Sequence, residues 1–141
     1  MTIARVTFLT LLLTAVAALS IQAQGPAHLS KRERIRLCEK KAGVPLEEGP
    51  EPRKVEGGVV RPRPIHQVVS GAFKGVRATV VVEGVVDEDG CMRQVRTAES
   101  TDKGLEAAAM ESVGQWVFEP ATLNGAPVRV FYSVTINGYV R

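Results

Sequence analysis

One stretch constrains the chain more than any other: "VRATVVVEGVVDEDG", Val76 to Gly90. Val76, Ala78, Val80, Val82 and Val86 fall on one side of a two-residue alternation, and Arg77, Thr79, Val81, Glu83 and Val85 on the other. Period two in so valine-rich a run predicts a half-buried strand. Asp87 to Gly90 ends it in a hairpin with Asp-Gly at the tip. The return strand, "CMRQVRTAES", alternates less cleanly, so Met92, Val95 and Thr97 share a face only across a bulge, which Gly84 on the partner strand would ease.

The period then changes. Ser100, Thr101 and Asp102 supply a helix start. Leu105, Ala108, Ala109, Ser112, Val113 and Trp116 recur at helical spacing, which places Trp116 in the last turn of an amphipathic helix. Pro120 forbids continuation, and Asn124-Gly125 turns the chain. Alternation returns in the last strand, with Val128, Val130, Tyr132, Val134 and Ile136 facing one way and Arg129, Phe131, Ser133, Thr135 and Asn137 the other. The order β-β-α-β predicts an α+β fold, a small antiparallel sheet with one helix packed across a face.

The segments before this fold differ in kind. Arg5 precedes an apolar run, Val6 to Ile21, with Ala23 as a last residue before cleavage. A positive start, about 15 apolar residues and a small residue at the cut describe a signal peptide over residues 1–23. The other reading is retention as a short membrane anchor. Residues 24–43 hold a basic amphipathic helix, "SKRERIRLCEKKAG", with a Ser30/Glu33 capping box, Gly43 past its end and an Ile35, Cys38, Ala42 stripe. Its charges suit either a solvated helix docked by that stripe or one that touches a membrane or cell-wall polymer. Residues 44–59 read as a linker of prolines, glycines and mixed charges. Residues 60–141 form the folded domain, and "IHQVVSGAF" suggests a short helical turn ending at Gly71.

Charge narrows the partners. Residues 24–64 carry 10 basic and 6 acidic side chains, and residues 65–141 carry 7 and 9. The folded part is therefore mildly acidic, which argues against nucleic acid. His28 and His66 stand in no metal-ligand spacing. Asp87, Glu88 and Asp89 lack the further ligands of a calcium loop and fit a hairpin turn. Ser70 and Ser100 sit in turn and cap contexts, without a nucleophile elbow. No cofactor, metal or catalytic residue is expected, and the chain reads as a non-enzyme. Cys38 and Cys91, both in the exported part, fit a disulfide closing a loop of about 54 residues, or two unpaired small hydrophobes. Trp116 has two readings as well: a core anchor beside Phe118 and Pro120, or an exposed binding platform.

Several of these residues form a joint pattern: Asp89-Gly90, then Trp116, Phe118, Pro120 and Ala121, then Gly125, Pro127 and Val128. Over about 80 residues this resembles the TonB C-terminal domain family. The family's frequent Tyr-Pro pair at the start is replaced here by "RPRPIHQ". The resemblance implies a periplasmic or secreted binding module that takes extended peptides of outer-membrane transporters by strand addition. The matching edge is the last strand: Arg129, Val130, Phe131, Tyr132, Ser133, Val134, Thr135 and Ile136. Two alternatives stay open. A retained leader would make a minimal transducer anchored in the inner membrane, and self-pairing through the last strand would make a structural homodimer.

Overall fold

The computed structural model describes residues 29–139. The expected signal peptide lies outside these residues. Among them, no helix is long and apolar enough to cross a membrane.

The valine-rich strand is the centre of the molecule. β2 (Thr79–Val86) lies between β3 (Met92–Ser100) and β7 (Val130–Asn137), antiparallel to both. Its Val80, Val82 and Val86 are fully buried, and α2 (Glu106–Gly114) covers them together with the start of β3. Ala109 and Val113 of α2, Phe118, and Val130, Val134 and Ile136 of β7 complete the core. Phe118 meets Tyr132 edge to face at 5.4 Å between ring centres. The antiparallel sheet, the covering helix and the β-β-α-β order are those the alternation implied.

The return strand is bulged twice. Val81 and Val82 oppose Glu99 and Thr97, and Glu83 and Val85 oppose Arg96 and Arg93, so β3 carries an extra residue at each place. Gln94, inside the second bulge, has φ 51°. Gly84 faces that bulge so closely that a Cβ would come within 2.7 Å of the Arg93 carbonyl oxygen. A side chain there would push the two strands apart.

Short strands surround this sheet. β1 (Arg63–His66) pairs with β4 (Val117–Glu119), and β5 (Thr122–Leu123) with β6 (Ala126–Pro127). Asn124 and Gly125 join the latter pair with φ of 51° and 80°, the positive pair that a tight hairpin turn requires.

Two local expectations are corrected. Residues around Ile65 form strand β1, and the helical turn is Gly71–Phe73, which begins rather than ends at Gly71. The Ser70 hydroxyl sets that start, accepting from the Ala72 amide. Trp116 lies two residues beyond the end of α2, not in its last turn. It is nonetheless buried, and its indole N–H donates to the Val68 carbonyl at 2.7 Å. Phe118 is fully buried beside it and Pro120 is half-buried.

Candidate functional site

The hairpin tip between β2 and β3 is where the N-terminal part of the chain fastens. Asp87 is buried, and its carboxylate accepts from the amides of Asp89 (3.0 Å) and Cys91 (2.9 Å) and from Arg93 Nη1 (3.2 Å). Gly90, with φ 86°, brings its carbonyl to 2.8 Å from the Phe118 amide. The tip is thereby held against β4.

Helix α1 (Lys31–Lys41) docks on this tip. It begins in the capping box: the Ser30 side chain accepts from the Glu33 amide, and the Glu33 carboxylate from the Ser30 amide. The Ser30 hydroxyl and amide hold the Glu33 carboxyl below its usual range. Arg34, buried under the helix, donates to the Asp89 carbonyl at 2.8 Å. Lys41 pairs with Asp89 and lies 3.6 Å from Asp87. Burial works against the Lys41 ammonium, but its bond to Asp89 and the charges of Asp87, Asp89 and Glu47 outweigh it and raise its pKa. A disulfide joins Cys38 to Cys91, with Cα atoms 5.2 Å apart.

Beyond α1 the proline-rich segment is strapped over the hairpin end of the sheet. Arg93 Nη2 on β3 donates to the carbonyls of Val44 and Pro45, the latter at 2.9 Å. Arg129, at the foot of β7, donates to the Glu47 carbonyl at 2.7 Å and bonds Glu88 through Nε at 2.8 and 2.9 Å. The chain therefore crosses from the β3 side to the β7 side. Val85, on the face of β2 away from α2, is only 2% exposed under this crossing. Arg129 was expected to point outward with Phe131 and Ser133. It is turned in instead, because Glu88 and the strap supply partners for its guanidinium.

The strap ends on β7. Arg53 forms a parallel bridge to Val130, its amide donating to the Arg129 carbonyl and its carbonyl accepting from the Phe131 amide, both at 2.9 Å. These two bonds fix which way the backbone of β7 points. Residues 129 and 131 direct their polar groups away from β2, so Ser133 and Thr135 do the same, since backbone direction alternates along a strand. No other described strand lies beyond β7. Its outer backbone groups from the Phe131 carbonyl to Thr135 are therefore unpaired within the described fold.

The side chains around this open edge vary along its length. Val130, Val134 and Ile136 point into the core and Tyr132 is half-buried, while Phe131, Ser133 and Thr135 are exposed. At the far end an open groove of about 470 Å³ is lined by Val69, Phe73, Lys74, Trp116, Thr135 and Tyr139. Trp116 contributes only an edge to this groove, since it is 8% exposed. Six large hydrophobic residues are well exposed among the described residues, and three of them (Val69, Phe131 and Tyr139) flank the edge or its groove. Arg34, Arg93 and Arg53 were not singled out from sequence. The Ile35, Cys38 and Ala42 stripe hints that α1 docks, but nothing in the spacing marks a buried arginine.

The described fold is a three-stranded antiparallel sheet with a helix on one face, a strapped hairpin end and one open edge. It defines a small α+β domain. Residues 72–137 match the family model for the C-terminal region of Gram-negative bacterial TonB proteins, and the domain they form belongs to this family. The solution NMR structure of the Pseudomonas aeruginosa TonB C-terminal domain is similar, at 18% identity and a TM-score of 0.45, covering 61% of this chain and 90% of that one. The search of curated proteins found no match.

Proposed function

We propose that the protein is an exported cell-envelope binding module that takes an extended peptide segment as an added strand on β7. The periplasm is its place of work, and outer-membrane transport components are its partners. One observation carries this reading: the outward N–H and C=O groups of Ser133 and Thr135 stand open between the exposed rings of Phe131 and Tyr139. An unpaired edge supplies backbone bonds to any sequence, and flanking apolar side chains supply the selection.

The test uses peptides copied from periplasm-facing segments of outer-membrane transporters, titrated into the isotope-labelled protein and followed by NMR. Bound peptide is expected to shift the amides of Ser133 and Thr135 most. Thr135→Pro removes an N–H that points away from β2, so the sheet is expected to persist while peptide affinity falls about tenfold. Unchanged affinity in that variant, or shifts confined to other surfaces, would remove β7 as the site. Export is checked separately by mass spectrometry of the mature N-terminus. A start at Gln24 is the expected outcome, and an intact leader would point to the anchored form.

A further inference from the structure

The strap does more than cover Val85. We propose that Arg53 is a built-in stop that fixes the register and the length of whatever strand β7 accepts. The inference rests on the reading of β7 as an acceptor edge. Arg53 takes the first outward positions, the Arg129 carbonyl and the Phe131 amide. It runs parallel to β7, so a continued strap would pair next with Ser133. It does not continue. The Glu56 amide bonds the Lys54 carbonyl, Gly57 and Gly58 turn with φ of 61° and 88°, and Val60 pairs with Thr122 on β5.

The outer side of the strap offers little for pairing. With the polar groups of Arg53 facing β7, those of residues 52 and 54 face away. Residue 52 is proline, which has no N–H to offer, and residue 54 is an exposed lysine whose carbonyl is already engaged. Proline and lysine are the residues that blunt a sheet edge. A partner strand over the strap would find only the Pro52 carbonyl and the Lys54 amide, too few bonds to extend the sheet there. It is confined to the backbone from the Phe131 carbonyl to Asn137, enough for a segment of about five residues. Its end toward Arg53 abuts Lys54 and Phe131, which share a surface hollow with Glu83, Arg96 and Ser133. The occupant is a short extended peptide with its other end at the groove of Val69, Phe73 and Tyr139.

Two measurements test the stop. In the unliganded protein, amide exchange is expected to be slow at Phe131 and fast at Ser133 and Thr135; equally fast exchange at Phe131 overturns the stop whatever binds. The second uses lysine-flanked peptides of alternating threonine and valine, about five and about nine residues long, titrated against the intact exported chain, Arg53→Pro and Arg53→Ala. The wild type and Arg53→Ala, which keep the backbone donor, are expected to bind both lengths within about twofold, with shifts ending at Ser133. Arg53→Pro is expected to bind the longer peptide about fivefold more tightly than the shorter, with shifts spreading to Phe131. Preference for the longer peptide already in the wild type sinks the stop while β7 remains the acceptor. Shifts that avoid β7 in all three proteins sink both.

Discussion

At the residue scale the hairpin tip depends on a glycine for two separate reasons. Gly90 has a positive φ, and a Cβ on it would fall within the van der Waals shell of the Phe118 carbonyl oxygen. Backbone strain and a clash with backbone that cannot yield add together, so Gly90→Ala is expected to cost about 3 kcal/mol or more. Denaturant unfolding measures it, and a loss under about 1 kcal/mol would mean that β4 moves freely from the tip. Asp-Gly was legible in the sequence as a turn because its backbone demand is local. The burial of Asp87 was not, because the partners that justify it, Arg93 and the amides of Asp89 and Cys91, are supplied only when the turn closes. The same holds for Arg34 and Arg129. A charged side chain carries no mark of its burial until its acceptors are placed.

At the element scale α1 offers a pH dependence with a definite sign. The folded Glu33 carboxyl is held below its ordinary value of 4.5 by Ser30. A depressed carboxylate contributes stability that is present above its unfolded pKa and lost as pH falls through the folded value. Below pH 4.5 the first turn of α1 is therefore expected to lose amide protection before the sheet does, and Ser30→Ala is expected to flatten this dependence. Equal acid sensitivity in the variant would assign the loss to other groups. The disulfide tests the other end of the docking. In the chain-entropy model a loop of this size is worth about 4 kcal/mol, so reduction is expected to lower the unfolding midpoint clearly and to release α1 first. A midpoint unmoved by a dithiol would show that the salt links of Lys41 and the bond of Arg34 suffice. The long elements were readable because period and caps are written within each one. β1 was missed because Pro62 and Pro64 hide its alternation, and its pairing with β4 is decided about 50 residues away.

At the scale of the whole molecule the question is what the domain includes. By composition, residues 44–59 resemble a spacer that could be removed. In the structure they supply the carbonyls that bond Arg93 and Arg129, cover Val85, and pair with β7. A chain beginning at Val60 would leave the buried guanidinium of Arg93 with Asp87 as its remaining partner and would expose Val85. It is expected to be less stable than the full-length chain by about 3 kcal/mol or more, beyond the loss of the disulfide. Comparing that truncation with the reduced full-length protein measures the strap together with the remaining contacts of α1, and equal stability of the two would show that both merely rest on the sheet. Composition concealed this role, since proline and glycine mark an absence of regular structure and say nothing of where irregular backbone is bound.

The bond between Cys38 and Cys91 also decides how the molecule would carry a pull. Tension applied between the chain before Ser30 and a peptide held along β7 would leave the helix at Cys38 and enter the sheet at Cys91. Residues 39–90, which contain the strap, β1 and all of β2, lie inside the covalent loop and would not be drawn out in line. Load would reach β7 through its backbone ladder with β2, along the strand axis, where many hydrogen bonds must yield together. The same tether that fastens a helix would then act as a mechanical short circuit, keeping the register of β7 against β2 intact under load.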